Sequence, residues 1–252
     1  MIKTIINGCN GAMGQVLAKE LKKDDEMDII AGIDKSPNKF DNDFPIYNDI
    51  FKFKKEADVI IDFSNPYFLP GLLDYGMEKN IPLVIATTGL SAHDMNDIET
   101  ASKKIPVFYS ANMSLGINLL LNLVKKSAAV LRDNFDIEIL EKHHNKKLDS
   151  PSGTAYMIAK EINKELSNEK EYVFGRYSKK DLRRKNEIGI HSIRGGTIVG
   201  EHSVIYAGPD EILEIKHSAA SKSIFAIGSI KAAKFIQNKN NGLFNMNDII
   251  KV

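Results

Sequence analysis

The chain has one cysteine, no tryptophan and almost no excess of either charge. A lone cysteine cannot close an internal disulfide, so the fold must be held by burial. A chain of 252 residues is long enough for that, in one large domain or two smaller ones. A net charge of +1 supplies no general attraction to nucleic acid or to an anionic membrane. No apolar run approaches the ~20 residues that a membrane-spanning helix needs. There is no internal repeat, and no biased tract beyond Asn238 to Asn241. Met1 to Thr4 runs straight into a strand-like segment with no signal peptide before it. Hydrophobic and charged fractions of 43% and 27% are those of an ordered globular protein. Together these absences point to a cytoplasmic protein with neither nucleic acid nor membrane as a partner.

Ile2 to Asn7 is apolar and β-branched, as a buried parallel strand would be. Gly8-Cys9-Asn10-Gly11-Ala12-Met13-Gly14 follows at once, with glycines spaced G-x-x-G-x-x-G. Met13, Val16, Leu17 and Leu21 then recur at helical spacing. Strand, glycine loop and helix in that order aim helix-start N–H groups at a pyrophosphate. A second strand, Ile29 to Ile33, ends in Asp34, where a dinucleotide fold places an acid for the adenosine ribose. Asp34 favours NADH through a free 2′-hydroxyl, whereas Lys35 suits the 2′-phosphate of NADPH or is simply solvated. Cys9 reads as a small filler of the loop. Further strands, Val59 to Phe63, Leu83 to Ala86 and Val107 to Tyr109, each end in small polar residues. Ligands of open α/β sheets sit beyond the carboxyl ends of the strands. Thr87, Thr88 and Asn112 are thus candidates to border a nicotinamide, or else turn and cap residues.

The segment Glu141 to Ala155 is the second signal: Glu141-Lys142-His143-His144-Asn145-Lys146-Lys147-Leu148-Asp149-Ser150-Pro151-Ser152-Gly153-Thr154-Ala155. Leu115 to Leu131 before it reads as a long buried helix, and Ile137 to Leu140 as a strand delivering Glu141 to Lys147 to an edge or loop. Ala155, Ile158, Ala159, Ile162 and Leu166 repeat with helical period, with Pro151 in the first turn and Ser150 as cap. Ser152, Gly153 and Thr154 then lie in the first turn, where helix-start amides can face an anion, lysines add positive charge, and histidine exchanges protons near neutral pH. His143 and His144 point to opposite sides of an extended chain. Zinc would need a third ligand; neither His-Glu-x-x-His nor a cysteine pair is present, so no metal is expected. The block reads as built to hold an acidic small molecule and protonate it.

On these residues the chain resembles the 4-hydroxy-tetrahydrodipicolinate reductase (dihydrodipicolinate reductase) family of lysine and diaminopimelate biosynthesis, over nearly its whole length. The hallmark is an acid, a His-His pair, a lysine three residues later and Asp-x-Pro-Ser-Gly-Thr-Ala. It is matched by Glu141, His143, His144, Lys147, Asp149 and Pro151 to Ala155. Gly8 to Gly14, Thr87-Thr88-Gly89, Ser110 to Met113 and Gly189 to Gly196 also look like family landmarks. The resemblance implies His143 as active-site proton donor or acceptor and Lys147 as a second donor. It implies His144, Gly153 and Thr154 as carboxylate binders of a small dicarboxylate substrate. The implied cofactor set is Gly8, Cys9, Asn10, Gly11, Ala12, Met13, Asp34, Lys35, Ala86, Thr87, Thr88, Ser110, Ala111, Asn112 and Met113, for NADH, NADPH or both. Two positions depart from the family pattern: Ala12 and Lys222 stand where arginine is common. Ala12 weakens the case for a 2′-phosphate, and a lysine lacks the planar fork of arginine.

The expected fold is α/β: a Rossmann-like dinucleotide-binding domain (1–113 and 222–252) and an α+β substrate and oligomerisation domain with a mixed sheet (114–221). The resemblance implies that this sheet builds a homotetramer. Ile188 to Ala207 and Glu211 to His217 read as strands around a Gly208-Pro209-Asp210 turn, and Ile224 to Ile236 as a helix. Ser167 to Glu187, rich in lysine and arginine, reads as a mobile solvated connector without the stacking aromatics of a nucleic-acid site. Two rival readings share the cofactor loop: another two-domain dehydrogenase, and a non-catalytic dinucleotide sensor. Neither accounts for the block from His143 to Ala155.

Overall fold

The computed structural model describes residues 1–250, which fall into two compact units. The first unit comprises Met1–Leu115 and the segment from Lys222; the second is Gly116–Ser221. Strands and helices are numbered in chain order.

In the first unit the strands are β1 (Ile2–Asn7), β2 (Met27–Ile33), β3 (Ile46–Tyr47), β4 (Val59–Asp62), β5 (Leu83–Ile85) and β6 (Pro106–Tyr109), joined near the C-terminus by β12 (Gly242–Phe244). All pair in parallel, in the order β12-β6-β5-β4-β1-β2-β3. The helices are α1 (Ala12–Leu21), α2 (Leu69–Lys79), α3 (Ala92–Ser102), α6 (Ser223–Ile236) and α7 (Met246–Ile249). Alternation along the strands divides the sheet between two cores. Ile6, Val59, Ile61, Val84 and Phe108 pack with Leu17 and Leu21 of α1 and Ala226 and Ile230 of α6. Ile5, Ile60, Leu83, Ile85 and Val107 pack with Leu72 and Leu73 of α2 and Ile98 of α3. Burial on both faces explains the β-branched, unalternating strand sequences. Each fully buried Ile or Leu contributes about 1.5–3 kcal/mol, which makes a disulfide unnecessary. From β1 the chain runs toward β2 on one side, while β4 lies on the other, so the strand order switches direction between β1 and β4. A ligand crevice belongs at that point.

The second unit holds α4 (Leu115–Leu131, beginning at the boundary), β7 (Asp136–His143), α5 (Gly153–Glu165), β8 (Glu171–Phe174), β9 (Glu187–Arg194), β10 (Gly200–Ala207) and β11 (Ile212–Ala219). Its sheet is mixed, in the order β11-β10-β7-β9-β8. β7 is central, antiparallel to β10 and parallel to β9. Leu120 and Val124 of α4 and Ala155, Ile158 and Ile162 of α5 cover one face, against Ile137, Ile139, Ile190, Val204 and Tyr206.

The structure differs from the sequence expectations in four places here and at the start of α5. The stretch from Ile188 to Ala207 is not one strand: it breaks after Arg194, and β7 is inserted between its two halves. β7 itself runs on to His143, so Glu141, Lys142 and His143 belong to a central strand rather than a loop. Only one stripe of α4 is buried; Val130 is 81% exposed. The charged connector contains β8 and is tied down. Arg183 Nη1 and Nε donate to Asp136 (2.6 Å) and Glu138 (3.0 Å), and its Nη2 donates to the Glu187 carbonyl (2.8 Å). Arg176 reaches Glu187 at 3.0 Å. Arginine forks convert what reads as a solvated charge run into a cross-strand staple.

Candidate active site

In the first unit, Gly8 leaves β1 with φ +79°, a conformation that side chains rarely adopt. A Cβ there would lie 2.6 Å from the Phe63 carbonyl oxygen. Gly14 packs α1 against the loop, where a Cβ would sit 2.1 Å from the Gly8 oxygen. Gly11 opens α1 with no side-chain cap on its amides and no acid in the first turn. An unblocked helix start behind a glycine turn is what a pyrophosphate requires. Gly8, Gly11, Asp34 and Lys35 line a cleft of about 780 Å³ together with Phe63, Ser64 and Asn65 after β4, at the switch point. Tyr67, Phe68, Phe51 and Leu72 form its apolar part, suited to an adenine ring. These features fit a dinucleotide.

Other members of the expected cofactor set lie differently. Cys9 is fully buried, close-packed against Gly32, and its amide donates to the Ile33 carbonyl at 3.2 Å. Burial, reinforced by Asp34, pushes its thiol up to about 12, so it is the inert filler the sequence suggests and shapes the loop from beneath. Asn10 is also buried; its side chain joins Ser36 (2.7 Å) and Asn42 (3.0 Å). Asp34 accepts from the amides of Asn10 (3.0 Å) and Ser36 (2.9 Å), holding the loop while leaving lone pairs for a ribose. Ala12 is exposed and Met13 half-buried in the first turn of α1. Ala86, Thr87 and Thr88 follow β5 and Ser110, Ala111, Asn112 and Met113 follow β6, on the same carboxyl edge as the glycine loop. Thr88 and Ala111 are exposed, whereas Met113 is in the core. Thr87 is buried and donates to Asp62 at 2.6 Å. Asp62, which sequence reading passed over, also receives Asn7 Nδ2 at 2.8 Å. Burial raises its pKa against these hydrogen bonds. An acid closing the apolar run Val59 to Ile61 was the available signal, the same one that marks Asp34.

In the second unit the His-His block is built around Glu141. Its carboxylate is fully buried. Oε2 meets His143 Nδ1 at 2.6 Å and Arg194 Nη1 at 2.8 Å; Oε1 accepts from Arg194 Nη2 at 2.7 Å and the Ser152 amide at 3.1 Å. Burial opposes its ionisation, but the bonds from Arg194, then His143, Ser192 and Ser152 outweigh it and hold the carboxyl at about 2. Arg194 arrives from β9, where it pairs in register with His143. Its Nη2 also donates to the Asp149 carbonyl at 2.7 Å, so its terminal nitrogens are engaged by protein. Lys222 is exposed at the start of α6.

α5 starts two residues later than expected: Ser152, not Ser150, is the cap, and Pro151 lies outside the helix after a cis peptide bond. Ser152 Oγ accepts from the Ala155 amide at 3.2 Å and lies 3.0 Å from His202 Nε2. Gly153 and Thr154 therefore form the first turn. Gly153 is exposed, with nothing within 4 Å of where its Cβ would be. Burial, and then the neighbouring His143, lower His202 to about 4, so His202 is a neutral brace. The rings of His143 and His202 are 5.3 Å apart and edge-on. Lys147 Nζ pairs with Asp149 at 2.7 Å, and that lysine holds the Asp149 carboxyl below its usual range. His144 lies just past β7 and is half-buried. Gly200 of β10 would, with a Cβ, come within 3.1 Å of His143 Nε2, so a glycine there avoids crowding that nitrogen. Gly200 and His202 carry no sequence motif; only the pairing of β10 with β7 reveals them. Among the described residues no cluster of three or more His, Cys, Asp or Glu could hold a metal ion. The block can therefore bind carboxylates and exchange a proton through one oriented imidazole.

Comparison with known proteins gives a consistent answer. The family profiles described as "Dihydrodipicolinate reductase, N-terminus" and "Dihydrodipicolinate reductase, C-terminus" match residues 2–113 and 116–250. A protein of Caldanaerobacter subterraneus subsp. tengcongensis, named 4-hydroxy-tetrahydrodipicolinate reductase, is 55% identical over all of this chain and 99% of its own length. A namesake from Clostridium novyi is 47% identical over the same shares. The structure of dipicolinate-bound dihydrodipicolinate reductase from Paenisporosarcina sp. TG-14 superposes with a TM-score of 0.82 at 22% identity, covering 99% of each chain. A myo-inositol dehydrogenase from Corynebacterium glutamicum reaches 0.58 at 12% identity, covering 96% of this chain and 90% of its own. These two structures bear on fold alone.

Proposed function

The chain belongs to the dihydrodipicolinate reductase family, and from that premise we propose that it reduces 4-hydroxy-tetrahydrodipicolinate to tetrahydrodipicolinate with a nicotinamide cofactor. The net change exchanges a ring hydroxyl for hydrogen and releases water, so each hydride consumes one proton. A bound NADH or NADPH would supply the hydride; Gly8, Gly11, Asp34 and Lys35 would hold its adenosine half, and residues 86–88 and 110–113 would border its nicotinamide. His143 gives the proton, with Lys147 as a second donor once it leaves Asp149. His144 and the Gly153 and Thr154 amides hold the two carboxylates. The observation that carries this reading is the Glu141–His143 contact at 2.6 Å beside the Ser152-capped start of α5: a proton donor and an anion cradle on one scaffold.

Three finer points belong to the proposal. Both cofactors are used: Asp34 suits the free ribose, and exposed Lys35 is a cation for a 2′-phosphate where Ala12 offers none. The protein is a cytoplasmic homotetramer assembled through the sheet face that α4 and α5 leave uncovered, where Ile193 and Ile212 are 45% and 71% exposed. Its partner is a small dicarboxylate, not nucleic acid or membrane; among the described residues no helix is long and apolar enough to cross a bilayer. The test is to add NADH or NADPH to the protein with substrate made fresh from pyruvate and aspartate semialdehyde, and follow absorbance. Oxidation of both cofactors is expected. Oxidation of neither overturns the reductase reading, and a large preference for one overturns dual use. Sedimentation as a monomer would overturn the tetramer.

A further inference from the structure

We infer that Glu141 is a positioning residue that sets the proton-donating ring of His143 in register with the carboxylate-holding start of α5, with Arg194 as its fixed counter-ion. The inference rests on the reading of His143 as the proton donor. One buried carboxylate reaches both parts: Oε2 takes the His143 ring at 2.6 Å and Oε1 takes the Ser152 amide at 3.1 Å. The ring and the helix start therefore cannot shift independently. Arg194 grips both oxygens, at 2.8 and 2.7 Å, and so fixes the plane of the carboxylate as well as its charge.

The consequence for the ring is specific. An ionised carboxylate only accepts hydrogen bonds, so Nδ1 of His143 must carry a hydrogen. The neutral ring is then the Nδ1–H tautomer, with Nε2 as its basic atom, and the charged ring donates from Nε2. That is the nitrogen beside Gly200, whose lack of a side chain leaves room there. Strand geometry supplies the parts. Glu141 and His143 are two apart in β7 and share a face, and β9 places Ser192 beside Glu141 and Arg194 beside His143. A buried ion pair serving only the fold would fix Glu141 and Arg194 but leave the tautomer of His143 unspecified.

The substitution Glu141→Gln is the test, because it keeps the shape and removes the charge. Its amide NH2 would face two donors at the Oε1 position and one, Arg194 Nη1, at the Oε2 position, where it can also donate to Nδ1. The neutral His143 ring should therefore switch to Nε2–H. Nitrogen NMR of histidine-labelled protein reads this directly. Turnover should fall at least about tenfold, the scale typical of partners that orient an active imidazole. KM for the dicarboxylate should rise severalfold, with nicotinamide affinity unchanged. Arg194→Lys, which keeps the counter-charge and loses the fork, should retain the Nδ1–H tautomer with a smaller loss. An Nε2–H tautomer in the wild-type protein overturns the inference whether or not the variants fold. So does an unchanged tautomer and an unchanged kcat to KM balance in Glu141→Gln. Failure of the wild type to oxidise cofactor sinks the reductase reading alone, because the tautomer is measured without turnover.

Discussion

Two helix starts in this chain are proposed to face anions, and they are built in opposite ways. α1 opens at Gly11 with no side-chain cap, behind a loop whose shape comes from close backbone packing at Gly8 and Gly14. α5 opens at a capped Ser152, braced by His202 and by the buried Glu141–Arg194 pair. The first needs its glycines and almost no charge. The second needs titratable groups at fixed spacing, and its glycine, Gly153, has empty space around it. A site that only binds a cofactor can be made of backbone. A site that also transfers a proton must hold an imidazole in one orientation, and that takes buried charge.

The largest effects that would break this contrast concern proton transfer. His143→Gln and Lys147→Ala should each lower turnover by ~10²–10⁴-fold, the usual worth of a placed general acid. Unchanged rates in both would remove the proton-donor roles. The same substitution at the two helix starts should then behave oppositely. Gly14→Ala forces a Cβ onto backbone and should cost about 1–3 kcal/mol in urea unfolding, with cofactor affinity falling alongside. Gly153→Ala should leave stability equal or raised by under ~1 kcal/mol, while KM for the dicarboxylate rises because a ligand meets the new methyl. Equal stability losses would erase the distinction.

Acid should reach one helix start and not the other. His202 stays neutral in the fold down to about 4, while the unfolded imidazole titrates near 6.5. Its contribution is thus intact above about 6.5 and is lost as pH falls toward 4, by roughly 2 kcal/mol at pH 5. Glu141, held at about 2 against an ordinary 4.5, adds its own loss only below that ordinary value. Urea unfolding at pH 7 and pH 5 should therefore show a larger drop for wild type than for His202→Gln; matched drops would contradict the neutral brace. A further effect is expected at Gly200, whose replacement by alanine should reduce turnover roughly tenfold by crowding Nε2 of His143, with cofactor binding unaltered.

How much of this was legible in the sequence follows the same division. The Gly8 loop, α1 and Asp34 are local, because a strand, its turn and the next helix are adjacent in the chain. The bounds of α4 and the period of α5 were equally readable. The α/β class, with one parallel and one mixed sheet, followed from alternating strands and helices in one half and alternating polarity in the other. What stayed hidden depends on pairing across distance. Arg194 reaches Glu141 over 53 residues and His202 reaches Ser152 over 50. No periodicity announces such meetings, and a central strand bounded by a basic loop reads as the loop. The staple made by Arg183 was missed for the same reason: its partners, Asp136 and Glu138, lie more than forty residues earlier.

If cofactor binding and proton transfer belong to separate residues, His143→Gln separates them in one experiment. NADH and NADPH are titrated into wild type and variant, and oxidation is then followed with fresh substrate. Unchanged nicotinamide affinity with turnover reduced ~10²–10⁴-fold is the expected result. Turnover equal to wild type, or affinity and turnover lost together, would contradict it.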